Sequence, residues 1–488
     1  MNMNKPRVLI TTDMECDDMN SMIHLALHLD EIDPAGFVYT ASKYHFNGDG
    51  VHTLGEVTPH YSCSGELAYS GHIGYPHPDP EAVSLKAYRP FEEGWIESLW
   101  QNEYAAVYPN LLKHSPDYPS PEYLLSITKT GNIAFEGDVR EETEGSEFIA
   151  RTVLDDDERT LYLLSWGGMN TIVRALMSIH ARFSGTPEWN KIREKVYRKV
   201  CVLGVAEGIG QDNSWLDHGQ QLFPELRMLR TEFIHAGFLA AKFTQPDAIH
   251  TFRAPWLKEN IKFGHGPLME KTILFADGTR IYGEPENRQY GLITVLDWGF
   301  DNVPAYHFDP YDWIGEGDST TVVPVLPHGL RGLEDGRFGS LAGRLYPDRQ
   351  TLPKDAAEPY NPFLPAFQSE WAARADWCVK EYESCDHPPV VHVLTKDCQA
   401  APGETIKISA EVKDNDGRGL ETEWSIYAPG CTLITGELPV ITDAHSLNAS
   451  FTVPADARPS DCLIAVFACR TKGEKPITRY GEVMITIC

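Results

Sequence analysis

Basic residues are scarce in this 488-residue chain: 42 Lys and Arg stand against 70 Asp and Glu, a formal charge of −28. Such a surface repels DNA, RNA and anionic lipid, so a nucleic-acid polymer and a membrane are excluded as partners. No apolar run approaches the roughly 18 residues that a membrane span needs. Between Met1 and the apolar segment at Arg7 there is no room for a charged n-region and an apolar h-region. That predicts a cytoplasmic protein on the sequence as given, and a periplasmic or secreted one if a leader has been removed. The ten cysteines form no Cys-x-x-Cys pair, which argues against a zinc ribbon or a thioredoxin-type site. They read as reduced thiols, although the seven after residue 377 leave disulfides open for an exported form. His45, His52, His60, His72 and His77 lack the His-x-x-x-His spacing of a helical zinc site. No Gly-x-Gly-x-x-Gly opens a helix, so no dinucleotide site is read, and there is no repeat or low-complexity tract.

What the chain does have is a dense acidic cluster. The apolar run Arg7-Val8-Leu9-Ile10-Thr11-Thr12 ends in Asp13-Met14-Glu15-Cys16-Asp17-Asp18, four carboxylates within six residues directly after an expected strand. Carboxylates this close raise one another's pKa unless a cation or strong hydrogen bonds hold them ionised, and hard oxygen ligands suit Ca2+ or Mg2+. The bland alternative is that Asp17 and Asp18 complement the dipole of the following helix, with its stripe Met19, Met22, Ile23, Ala26 and Leu27. It leaves Asp13 and Glu15 unexplained.

From residue 7 to about 345, short apolar runs alternate with amphipathic patterns, as in parallel-sheet α/β domains. Strands are expected at Val8–Thr12, Ala35–Thr40, Leu161–Ser165, Lys199–Val205, Leu292–Leu296 and Val322–Leu326, with helices at Ser146–Leu154, Asn170–His180 and Leu226–Phe233. The Tyr-, Pro-, Trp- and His-rich region 70–125 reads as long loops above the sheet. Residues 346–386 read as a Pro-rich linker and a helix bearing Phe367, Trp371, Ala375 and Val379 on one face. From 387 to 488, alternating strands with turns at Asp414-Asn415-Asp416-Gly417 and Pro429-Gly430 predict a smaller immunoglobulin-like β-sandwich packed on the first domain.

Three further turns carry polar groups. Trp166-Gly167-Gly168-Met169-Asn170-Thr171 is a strand, glycine turn and helix start, with Asn170 or Thr171 as an ordinary cap if it has no other role. Gly210-Gln211-Asp212-Asn213-Ser214-Trp215 offers the planar polar and aromatic groups that bind sugar hydroxyls, or is a plain polar loop. Glu316-Gly317-Asp318 is acidic and glycine-flanked, so Asp318 is either a remote metal ligand or a cap. In an open α/β sheet such turns meet in the crevice beyond the strands' carboxyl ends.

Asp13-x-x-x-Asp17-Asp18, the Gly-Gly-Met-Asn turn and Asp318 together resemble the calcium site of the nucleoside hydrolases, whose fingerprint is Asp-x-Asp-Pro-Gly-x-Asp-Asp. Thr11-Thr12-Asp13, Ser42-Lys43-Tyr44-His45, Glu142-Thr143-Glu144-Gly145-Ser146, Trp166-Gly167-Gly168-x-Asn170-Thr171 and Glu316-Gly317-Asp318 are similar to a two-domain family of cellulose-binding proteins. That family joins a nucleoside-hydrolase-like domain to a β-sandwich, and the likeness covers nearly the whole chain. The resemblance implies Ca2+ held by Asp13, Asp18, Asp318 and a main-chain carbonyl near Asn170. It makes Asp13 the base for an attacking water and Asp17 a catalytic contact to sugar hydroxyls. Lys43, His45, Trp166, Asp212, Asn213 and Glu316 are then expected to line the substrate. This chain departs from the fingerprint in having no Pro-Gly, with Glu15-Cys16 in the turn, and in placing Gly317, not His, before Asp318, which leaves the leaving-group acid unassigned.

The expected function is therefore Ca2+-dependent hydrolysis of an N- or O-glycosidic bond in a small glycoside, nucleoside or oligosaccharide. The alternative is a non-catalytic carbohydrate-binding protein on the same fold, which would have no need of the base Asp13. A phosphatase on the acidic loop lacks nearby Lys or Arg for the phosphate. A homo-oligomer stays open.

Overall fold

The computed structural model describes residues 5–42, 45–51, 91–205, 211–231, 248–279, 309–347, 361–433 and 437–488. Seven strands form the first sheet: β1 (Arg7–Thr12), β2 (Asp33–Tyr39), β3 (Thr128–Thr130), β4 (Leu161–Trp166), β5 (Val200–Val205), β6 (Arg227–Thr231) and β7 (Tyr346–Pro347), in the order β3-β2-β1-β4-β5-β6-β7. The first six run parallel, and β7 pairs antiparallel with β6. Val8, Leu9 and Ile10 are buried on both faces, as a strand covered by helices on each side requires. Because β1 lies between β2 and β4, the strand order reverses there, and the turn after Thr12 opens at the switch point where α/β sheets bind ligands.

Helix Glu144–Leu154 starts on a reciprocal capping box, with Ser146 N donating to Thr143 Oγ1 at 3.1 Å and Thr143 N donating to Ser146 Oγ at 2.9 Å. Helix Asn170–Phe183 buries Ile172, Val173, Leu176 and Ile179 against the same face of the sheet.

Three local expectations fail for physical reasons. Leu226–Phe233, read as a helix, contains β6, because pairing with β5 along Cys201–Val205 overrides a short 3.6-residue pattern. Val322–Leu326, read as a strand, lies in helix Ser319–Val322 and a 3₁₀ turn, Val323–Val325. There the Thr320 and Thr321 hydroxyls donate back to Gly317 O and Asp318 O, both at 2.9 Å, and wind the chain after Asp318. In the region read as loops, 95–114 is helical with a π segment at Leu99–Tyr104, and a second helix spans Pro121–Ser126. Its aromatics Trp100, Tyr104 and Tyr118 belong to the core. Residues 70–90 of that region, the strand expected at Leu292–Leu296 and Lys43 lie outside the described residues.

The C-terminal strands are β8 (Val390–Val393), β9 (Cys398–Ala400), β10 (Thr405–Lys413), β11 (Leu420–Ile426), β12 (Asn448–Thr452), β13 (Cys462–Thr471) and β14 (Thr478–Ile487). They form two sheets, β12-β10-β8 and β11-β13-β14-β9, closed over Trp424, Phe451, Phe467 and Ile485. Helix Leu364–Trp377 is buried nearly all round, with Phe367, Trp371 and Ala375 in the core, whereas Val379 falls past its end and is exposed. Phe363 packs on Tyr427 and Tyr480 at ring distances of 5.5 and 5.1 Å, so the sandwich shares a core with the parallel-sheet region. The nine cysteines among the described residues are free thiols. No helix there is long and apolar enough to cross a membrane.

Candidate metal and substrate site

The turn after β1 is wound tightly. Met14 adopts a left-handed backbone (φ 59°) and its N–H donates to Thr12 Oγ1 at 3.0 Å. Helix Cys16–Ala26 then begins at Glu15 with no side-chain cap bond, so simple capping does not account for the carboxylates. Asp17 and Asp18 lie in its first turn, and Thr12 Oγ1 donates to Asp18 Oδ1.

Asp318, 300 residues away in sequence, is brought to this turn: one carboxylate oxygen each from Asp17, Asp18 and Asp318 lie within 4.8 Å of one another. The expected trio had Asp13 where the structure has Asp17. Asp13 stands beside the three, near enough for its charge to raise them all. All four are buried, Asp17 the most open at 7% exposure. Burial first, then Glu15, pushes Asp17 up to about 8. Asp13 rises to about 6 through burial, with the His45 ring pulling the other way. Burial followed by mutual repulsion lifts Asp18 and Asp318 well above the usual carboxylate range. Asp13 Oδ2 and Asp17 Oδ1 are buried without a hydrogen-bond partner among the described residues.

Asp318 is held in place from two sides. Asn20 Nδ2 donates to Gly315 O at 2.8 Å, Ser319 N donates to Ser21 Oγ at 3.0 Å, and His24 Nδ1 meets Glu316 Oε2 at 2.8 Å. On the β4 side, Trp166 Nε1 donates to Thr321 Oγ1 at 2.7 Å. Glu316 and Trp166 are thus fully buried struts of the site; the first also accepts from Ser319 Oγ, and the second offers no ring face to a sugar.

The glycine turn after β4 has a packing reason. A Cβ on Gly167 would sit 3.0 Å from Asp13 Cβ, and one on Gly168 would sit 2.2 Å from Asp212 Oδ2 and 2.4 Å from Ala41 O. Asp212 spends both oxygens inside the protein: Oδ2 accepts from Asn170 N at 2.9 Å, and Oδ1 from Ser214 N and Oγ at 2.9 and 2.6 Å. Burial raises it to about 6. The Asn170 side chain is consumed likewise, accepting from Thr40 Oγ1 at 2.6 Å and donating to Asn132 O at 2.8 Å, which leaves only main chain at this turn for a ligand. Asn213 is half-buried in the neighbouring loop. His45 Nε2 lies 3.6 Å from Glu15 Oε1, and Glu15 is the more exposed of the two.

The family model described as "Cellulose-binding Sde182, nucleoside hydrolase-like domain" matches residues 7–345. The chain belongs to this family. A nucleoside hydrolase-related hypothetical protein from Saccharophagus degradans, associated with carbohydrate metabolism, is 20% identical over 99% of this chain and 100% of its own, with a TM-score of 0.67. The two share a fold. The PKD domain of human KIAA0319 aligns with 21% of the chain and 84% of its own length at 11% identity, with a TM-score of only 0.17. No curated protein matches. Within the nucleoside hydrolase-like domain, sequence reasoning missed the posts that carry Asp318: Asn20, Ser21 and His24. The available signal was three polar residues on a helix otherwise built for burial, each of which needs a partner.

Proposed function

We propose that the protein is a Ca2+-dependent hydrolase of N- or O-glycosidic bonds in a small glycoside, nucleoside or oligosaccharide. The observation that carries this reading is the joint burial of Asp13, Asp17, Asp18 and Asp318, with no Lys or Arg in an ion pair with any of them among the described residues. Four carboxylates removed from water cannot all stay ionised face to face. A hard divalent cation satisfies them and accounts for the orphaned oxygens of Asp13 and Asp17. Asp17, Asp18 and Asp318 would hold it, with Asp13 beside them.

When bound, such an ion supplies Lewis acidity and orients sugar hydroxyls. Asp13 is the group that takes the proton of the attacking water: one of its oxygens has no other partner and Gly167 packs against it. The surrounding carboxylates favour the positive charge of an oxocarbenium-like transition state. Glu15 and His45, which both act on the charge of Asp13, are the protonatable groups we assign to the leaving group.

The test is calcium titration of the chelator-treated protein, followed by hydrolysis assays on ribosides, arabinosides and oligosaccharides. Calcium-dependent turnover is expected, and protein that neither binds calcium nor turns over any glycoside would sink the reading. The family's description as cellulose-binding supports a second reading, in which the same site holds a glycan without cleaving it. Saturable binding of an oligosaccharide with no turnover at saturating Ca2+ would favour it.

A further inference from the structure

The C-terminal sandwich meets the parallel-sheet region at a buried charge cluster, and that cluster touches both segments that supply carboxylates to the candidate cation site. Arg479, on β14, donates from Nη2 to Glu31 Oε1 at 2.7 Å and from Nη1 to Glu370 Oε2 at 2.7 Å. Arg374, fully buried on helix Leu364–Trp377, reaches Glu31 at 2.9 Å, Glu370 at 2.8 Å, Asp30 at 2.9 Å and the carbonyl of Leu27 at 2.9 Å. His28 and His328 close the cluster, on Glu31 at 3.0 Å and Glu370 at 3.2 Å.

Two rigid paths leave it. Glu31 and Leu27 lie just beyond the end of helix Cys16–Ala26, every residue of which is buried and whose first turn carries Asp17 and Asp18. The second path starts at Glu370. The next residue, Trp371, packs on Trp313 at 5.0 Å, five residues before Asp318, and also stacks at 4.7 Å on the His24 ring, which holds Glu316. The separation of Asp18 from Asp318 is thus set by two elements that one cluster clamps.

We propose that Arg479 is a positioning residue for the cation site, so that the sandwich domain sets the site's affinity for its ion through Glu31 and Glu370. This inference rests on the cation reading above. It gives the C-terminal domain a role that needs no glycan contact of its own. A guanidinium suits the task because its planar fork aims donors from two separate nitrogens in fixed directions, whereas an ammonium offers rotating donors on a single atom.

The test uses the full chain and calorimetric titration with CaCl2, alongside melting in excess chelator. Arg479→Lys, which keeps the charge and loses the fork, is expected to raise the Kd for calcium about tenfold or more. Glu31→Gln serves as a second variant if Arg479→Lys does not fold. Trp424→Phe, in the sandwich core away from the cluster, controls for general loss of stability and should lower the melting temperature with an unchanged Kd. Both cluster variants keeping wild-type affinity would make Arg479 merely structural and overturn the proposal. An equal loss in the Trp424 variant would overturn it as well. A wild type that takes up no calcium would remove the cation reading and this inference together, whereas wild-type binding with insensitive variants removes only the inference.

Discussion

Asp13 and Gly168 carry the sharpest tests at the level of single residues. Asp13→Asn keeps size and one oxygen but cannot accept a proton, so hydrolysis of a competent glycoside should fall by about 10² or more with a smaller change in substrate Kd. Unchanged turnover would remove Asp13 from the chemistry. Gly168→Ala would force a methyl group to within 2.2 Å of Asp212 Oδ2 and 2.4 Å of a backbone carbonyl. We expect a loss of about 2–3 kcal/mol in chemical denaturation, since Asp212 cannot move without losing its bond from Asn170 N, nor the Ala41 carbonyl without losing its bond from Gly168 N. Residue identity alone pointed to Asp13, Asp17 and Asp18, because dense carboxylates need a partner wherever they sit, whereas Asp318 joined them only through the family resemblance. It could not tell that Trp166, Asn170, Asp212 and Glu316 turn inward, since an amide, an indole or a carboxylate serves as well in a buried strut as in a sugar contact.

Among the elements, the β1 turn and the helix that follows predict a distinctive pH dependence. Asp13 and Asp17 have folded-state pKa values of about 6 and 8, above the ordinary aspartate value of 3.8. In chelator their contribution to stability is therefore full below about pH 4 and is lost as pH rises through 6 and 8. Calcium reverses this by binding the ionised form. The difference in melting temperature with and without calcium should grow from pH 5 to pH 8, reaching about 4 °C at a hundredfold excess over Kd. Taking the difference cancels groups such as His114, pushed down by burial to about 4, which act identically in both samples. A pH-independent difference would show that these carboxylates do not hold the ion. β1, β2, β4 and the body of the helix at Glu144–Leu154 were legible because local pattern and tertiary role agree. β6 and the helix after Asp318 were not, because pairing with β5 in one case and Thr hydroxyl bonds in the other outweighed the hydrophobic spacing.

For the whole molecule, the shared core around Phe363, Tyr427 and Tyr480 and the buried Arg374–Arg479 cluster predict a single unit under native conditions. Limited proteolysis that releases a folded, freely tumbling C-terminal fragment would contradict this. Removing Arg479 outright, as in Arg479→Met, leaves Glu31 and Glu370 short of a buried partner and should cost about 3–5 kcal/mol of stability, read by denaturant titration. The order of apolar runs and turns in the sequence determined an α/β region followed by a β-sandwich, and the acidic cluster after β1 determined that something must neutralise it, because both follow from local pattern and local charge. Only the tertiary structure decided which fourth carboxylate joins the cluster, which polar residues are consumed as struts, and that the sandwich is clamped to the helix bearing Asp17 and Asp18. Those outcomes depend on contacts between segments from 38 to 448 residues apart, where pairing geometry and burial, not sequence neighbourhood, fix what each side chain meets.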